Sequence, residues 1–279
     1  MPSGKTIIGI DLGGTKMATA KVKSGKISRL NAISIPINVD KKQMLDLIRQ
    51  EVSDLFDSQV KGIGVGVPSI VDVNKGIVYD VQNIPSWDKV PLKDILEKEF
   101  KVYVKIDNDA NCFALGEMLY GQARSYKHVA GVTIGTGLGI GVINNGEIVH
   151  GANCGAGELG LIPYLDHTLE YYSSGQYFVN EFKMKGEEVY DLAKKNNHQA
   201  LMFLKYFANH LGNALLSIIY AYDPEVIVIG GSVAKSKEFW RDDALSKIDS
   251  VPYQNTKSKV KIVFSELENA GILGAAGLI

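Results

Sequence analysis

The chain is poor in cysteine, with two in 279 residues, and it lacks an excess of either charge: 30 Lys and Arg stand against 31 Asp and Glu. Cys112 and Cys154 cannot build a disulfide framework or a four-ligand metal site between them. Balanced charge gives no reason to expect nucleic acid or an anionic membrane as a partner. No stretch nears the roughly 18 consecutive apolar residues of a membrane span. The opening MPSGKTIIGIDLGG also lacks a signal peptide's apolar run and cleavage site. These absences lead to the expectation of a cytoplasmic protein in a reducing environment, with small partners. The Walker pattern GxxxxGK[ST] occurs nowhere. Residues 155 to 175, GAGELGLIPYLDHTLEYYSSG, hold Glu158 and Glu170 without a lysine or arginine to pair with.

What is present is ordinary globular material, enough for one large domain or two moderate ones. It contains an internal repeat. IGIDLGGTKMATAKVKSGKI (8 to 27) and AGVTIGTGLGIGVINNGEI (130 to 148) each read as strand, glycine turn, strand, glycine turn, strand. Asp11 aligns with Thr133 and Gly13 with Gly135. A helix over KKQMLDLIRQEVSDLF, a buried strand over VKGIGVGVPSIVD, a helix near 91 to 99, the strand VYVKIDND and the helix ANCFALGEMLYG follow the first copy. Helices across much of 172 to 222, the strand EVIVIGG, a short helix, the strand VKIVFSE and a closing helix follow the second. The fold class expected is therefore α/β, a duplication with two lobes facing a cleft. Residues 1–112 form the first lobe, completed by a helix at about 268–279, and 113–267 form the second. Ligands in such folds collect at the carboxyl ends of strands, which places both glycine turns in the cleft.

DLGGTK has the chemistry of a phosphate loop. Gly13 and Gly14 leave backbone N–H groups open to an anion, Thr15 adds a hydroxyl, Lys16 adds charge, and Asp11 could hold Mg2+ through water. TIGTGLGIG offers a second cradle of the same kind, and Gly230 and Gly231 end a strand where an adenine or ribose could pack. In KIDNDANCFALGE a strand runs into a helix through three polar residues. We expect Asp107 to cap that helix, and Asp109 to sit where a cleft places a general base. Asn108 could hold a neighbouring hydroxyl.

With these residues identified, the chain resembles the ROK family of sugar kinases and sugar-responsive repressors, within the actin-like, ribonuclease H-like ATPase fold. The resemblance rests on GIDLGGTK, GIGVGVPSIVD, NIPSWDKVPL, DNDANCFALGE, GTGLGIGVINNGEIVHG, GAGELG and DPEVIVIGG, in family order along nearly the whole chain. It implies Asp109 as the base for a sugar 6-hydroxyl, with Asn83, Asn108, Glu158 and Glu170 as sugar ligands. It implies ATP and Mg2+ held by Asp11, Gly13, Gly14 and Thr15, with Thr133, Gly135, Thr136 and Gly137 in the second turn, and it implies a homodimer. The family's DNA-reading repressors carry an N-terminal helix-turn-helix, and with DLGGTK so early in the sequence the expectation is that this chain is not one of them.

Two departures bear on substrate and metal. Where the family continues GExG with a histidine, this chain has Leu161, and the last cysteine of the family's zinc hairpin is replaced by Thr168. The segment between Glu158 and Glu170 is also shorter than in relatives with that hairpin. His167 alone cannot supply zinc's usual four ligands, so the expectation is no structural zinc. Ser69 stands where the family commonly has glycine. The implied activity is an ATP-dependent hexose kinase, acting either on glucose or on an N-acetylated or 1-substituted hexose with Tyr171, Tyr172 and Tyr177 lining the extra space. A non-catalytic sugar sensor is the alternative of another class.

Overall fold

The computed structural model describes residues 4–81, 84 and 87–279. The first half runs β1 (Thr6–Leu12), β2 (Lys16–Lys23), β3 (Lys26–Ser34), α1 (Lys41–Leu55), β4 (Val60–Val67), β5 (Ile70–Asp72), β6 (Ile77–Tyr79), β7 (Lys89–Val90), α2 (Leu92–Phe100), β8 (Tyr103–Asn108) and α3 (Asp109–Tyr120). The second begins with β9 (Val129–Ile134), β10 (Leu138–Asn144) and β11 (Glu147–Ile148). A two-stranded ribbon of β12 (Pro163–Tyr164) and β13 (His167–Thr168) follows, then α4 (Leu169–Ser173), α5 (Gln176–Phe182), α6 (Gly186–Lys194) and the long α7 (His198–Tyr222). The chain closes with β14 (Val226–Gly230), α8 (Arg241–Ser246), α9 (Gln254–Lys259), β15 (Lys261–Phe264) and α10 (Ala270–Gly277).

The two large sheets have one topology. The first is ordered β3-β2-β1-β4-β8 and the second β11-β10-β9-β14-β15, each an antiparallel meander extended by parallel strands. The equivalence extends to single residues. Asp11 stands beside Gly66 of the neighbouring parallel strand, and Thr133 beside Gly230, each one residue before its strand ends. The duplication expected from the glycine pattern is thus present in the strand order. The strand expected over 60 to 72 is split into β4 and β5, because β5 leaves the large sheet to pair with β6.

Helices α3 and α10 lie between the sheets, apolar nearly all round and buried accordingly. Small residues let their backbones come close. A Cβ on Gly64 of β4 would stand 1.7 Å from the Ala275 carbonyl oxygen of α10, and one on Gly274 would stand 1.6 Å from that of Cys112 in α3. Separate apolar clusters fill the outer faces: Ile8, Ile63, Met44 and Ile48 in the first half, and Val132, Ile229, Phe207 and Leu211 in the second. Among the described residues, no helix is long and apolar enough to cross a membrane.

Candidate active site

The β8–α3 junction presents the central groups. Asn108, not Asp107, caps α3: its side-chain oxygen accepts from the amides of Ala110 (2.8 Å) and Asn111 (3.2 Å). The expectation for Asp107 is corrected for a physical reason. Its side chain is buried, and His150 from beyond β11 lies within 2.7 Å of its Oδ2. Its Oδ1 accepts from the Asn108 amide (2.8 Å) and from Asn111 Nδ2 (2.9 Å). The Asn108 side-chain amide donates to the Ser69 carbonyl at 3.3 Å, so Ser69 supports the junction through its backbone. Its hydroxyl donates to the Tyr79 carbonyl.

Asp109 is the first residue of α3, and its Oδ1 accepts from the following amide at 2.8 Å. Burial pushes its pKa up to about 7, with Asp11 and Glu158 adding like-charge repulsion against backbone N–H groups that favour the anion. Asp11, at the end of β1, is pushed to about 6 by burial alone. It rests against the start of α10, where a Cβ on Gly271 would lie 2.8 Å from its Oδ2. Glu158 is raised by burial and then by Glu170. Carboxylates from four segments thus crowd one site, and the causes of the upward shifts at Asp11, Asp109 and Glu158 include no lysine or arginine. Such a site calls for hydroxyl donors and a cation.

This arrangement has a cost that can be measured. A carboxylate raised in the folded state adds stability below its unfolded pKa, near 3.8, and loses it as pH rises through the folded value, about 6 for Asp11 and about 7 for Asp109. Without ligand, the protein should therefore become less stable between pH 5 and 8 in urea denaturation. Asp109→Asn should lose less over that window, by about 2 kcal/mol. Equal slopes for variant and parent would mean that Asp109 is not held protonated.

The glycine turns flank these acids. Gly13 closes the first through its amide to the Lys16 carbonyl (2.9 Å), leaving Thr15 and Lys16 exposed. In the second, Thr136 is exposed, and a Cβ on Gly135 would meet only Ser232 Oγ, at 3.9 Å. The protein's own packing does not explain that glycine, and an approaching anion would. The Thr133 hydroxyl donates weakly to the Gly139 carbonyl, at 3.4 Å. Glu170 Oε2 accepts from the Leu138 amide at 2.7 Å and would lie 2.5 Å from a Cβ on Gly137, so this expected sugar ligand is seated on the second turn. Sequence reasoning missed that link, which joins residues 32 positions apart. Packing demands both glycines at the end of β14: Gly230, its last residue, lies against the Phe113 ring, and Gly231, at φ +92°, backs onto Ile134. Asn83 lies outside the described residues.

The tyrosines do not open a sugar pocket. Tyr171 stacks on His167 at 3.9 Å, while Tyr172 and Tyr177 are buried beside His210 at 4.8 and 5.3 Å. Asn213 Nδ2 donates to the Tyr164 hydroxyl at 2.7 Å. This aromatic cluster holds the β12–β13 ribbon where the resemblance would put a zinc hairpin. Burial holds the His210 pKa below the usual imidazole value, as suits a ring packed among tyrosines.

Two like-ordered sheets with paired glycine turns and a helix-initial aspartate between them define an actin-like ATPase fold. The chain belongs to the ROK family, whose profile matches residues 7–279. It is 30% identical to a glucokinase of Halalkalibacterium halodurans, over 99% of this chain and 96% of that one. It is also 30% identical to an N-acetyl-D-glucosamine kinase of Haemophilus influenzae, over 97% and 98%. Among solved structures, a ROK family glucokinase from Streptomyces griseus in complex with glucose and AMPPNP superposes with a TM-score of 0.85 at 25% identity, covering 98% of each chain.

Proposed function

We propose that this protein is an ATP-dependent hexose kinase that phosphorylates a sugar 6-hydroxyl. The observation that carries this reading is the place of Asp109, the first residue of α3 where β8 ends, close enough to Asp11 and Glu158 for their charges to act on it. Burial pushes its pKa up to about 7, and a general base works best when its pKa lies near the operating pH. In this reading, a hexose donates hydroxyl protons to Glu158 and to the Glu170 oxygen not used on Leu138. Asn108 contributes its remaining amide proton, and Asn83 a further contact. Asp109 takes the 6-hydroxyl proton as that oxygen attacks the γ-phosphorus. The bond from phosphorus to the bridging oxygen breaks, leaving ADP and the sugar 6-phosphate.

The residues around Asp11 suit Mg2+, which takes oxygen ligands: a carboxylate with its pKa raised by burial alone stands at the end of β1, just before the first glycine turn. When bound, Mg2+ supplies charge neutralisation on the transferring phosphoryl group. Gly13, Gly14, Thr15 and Lys16 from one turn and Gly135, Thr136 and Gly137 from the other hold the phosphates. A homodimer and a cytoplasmic location are carried over from the family resemblance and the composition.

Leu161, exposed where many relatives of this fold would place a histidine, removes a polar contact. Glucose is the first candidate substrate, and a hexose substituted at C1 or C2 the second. ADP release measured across glucose, mannose, N-acetylglucosamine, N-acetylmannosamine and a β-glucoside should show one sugar preferred at least tenfold in kcat/KM. Sugar binding without ADP release from any of them would point instead to a sensor.

A further inference from the structure

A mixed group of potential metal ligands lies beside the acidic site and has no part in the proposed phosphoryl transfer. Asp107 Oδ, His150 Nε2 and Cys154 Sγ all lie within 4.8 Å of one another. Asp107 and Cys154 are buried, while His150 is half-buried. None of the three belongs to the 161–168 segment that replaces the zinc hairpin: Asp107 is the penultimate residue of β8, and the other two come from the loop between β11 and Glu158. That loop starts at the second sheet, yet Cys154 packs into the apolar cluster of the first half.

We propose that Asp107, His150 and Cys154 bind a zinc ion, with water as the fourth ligand. One thiolate, one imidazole and one carboxylate are borderline donors that suit zinc and disfavour magnesium or calcium, which take oxygen. Zinc bonds of about 2.0 to 2.3 Å put tetrahedral donors roughly 3.5 Å apart. Cys154 Sγ and Asp107 Oδ1 already stand 3.6 Å apart. His150 Nε2 lies 2.7 Å from the other carboxylate oxygen, Oδ2, so binding through a single oxygen requires the carboxylate to turn and the half-exposed ring to swing, from a start in which all three donors lie within 4.8 Å of one another. Outer-shell donors are in place: Asn111 Nδ2 lies 2.9 Å from Asp107 Oδ1 and 3.7 Å from Cys154 Sγ, and the Asn108 amide also holds the carboxylate. Hydrogen bonds of this kind to the ligand atoms orient them and raise affinity. A cavity of about 760 Å³ bordered by Tyr79, Asp80, His150, Asn153 and Cys154 supplies the entry path and the water.

The ion would tie the Glu158 loop to the junction that carries Asn108 and Asp109. Its role would be to fix the distance between the proposed sugar ligand and the proposed base, and the site stands whether or not the kinase reading does.

The test uses the full chain, reduced without thiols, stripped of metal and held in excess Mg2+ to fill oxygen-only sites. Titration with Co2+ should reach one equivalent and give a thiolate-to-cobalt charge-transfer band, which added Zn2+ should abolish. Cys154→Ser should lose the band and Cys112→Ser should keep it. His150→Ala, shown folded by its circular dichroism, should bind Co2+ at least tenfold more weakly. A wild-type protein with no such band at several-fold excess of Co2+ overturns the proposal. So does a band that survives in folded Cys154→Ser, or an unchanged Co2+ affinity in His150→Ala.

Discussion

Asp109→Asn should keep sugar affinity within a few-fold and lower turnover by about 10² to 10⁴, the usual contribution of a positioned general base. The substitution preserves shape, and Asn is also compatible with the backbone contact to Ala110 that the carboxylate makes at 2.8 Å. It removes the basic oxygen, and with it the buried charge whose desolvation, helped by repulsion from Asp11 and Glu158, pushes the Asp109 pKa up to about 7. Turnover and ligand-free stability should therefore move in opposite directions, with the variant less active and, above pH 7, more stable. Coupled ADP release, calorimetric sugar binding and urea denaturation at pH 8 read the three quantities. Turnover within a few-fold of the parent would remove Asp109 as the base. Loss of sugar binding together with turnover would recast it as a substrate-holding residue.

Gly274→Ala should destabilise the protein by about 3 kcal/mol or more, the upper range for forced overpacking. Alanine normally stabilises a helix interior by about 1 kcal/mol over glycine, so the expected sign is the reverse of local propensity. The reason lies across the helix pair. The new methyl would stand 1.6 Å from the Cys112 carbonyl oxygen and 2.8 Å from the Gly116 amide nitrogen, both backbone atoms of α3 that cannot rotate away. Moving α3 would displace Asp109 at its N-terminus, so residual activity should fall with stability. Gly186→Ala is the control, since its Cβ would meet only the Phe178 ring at 3.5 Å, an ordinary contact. Denaturant midpoints that place both variants within 1 kcal/mol of the parent would mean that the two central helices can separate at little cost.

The meanders and the duplication were legible because β meanders with glycine turns are local patterns, and this one recurs in the chain. The candidate base was legible for a related reason: a strand running straight into a helix brings DND to a fixed place whatever surrounds it. The identity of the cap was not. Asp107 and Asn108 are both good capping residues, and the choice fell to Asn108 because His150, 43 positions away, meets Asp107 instead. The tyrosines of 171 to 177 read as lining for a sugar, yet Tyr172 and Tyr177 pack on His210 of α7 and Tyr171 stacks on His167, which makes them a support for the ribbon.

The amino-acid order alone carried the elements, their succession and the acids placed at strand ends, since each depends on neighbours a few residues apart. Folding decided the pKa of about 7 at Asp109, the seating of Glu170 on the Leu138 amide and the meeting of Asp107, His150 and Cys154. Burial and close approach between distant segments create these features, and such proximity leaves no periodic trace in the chain.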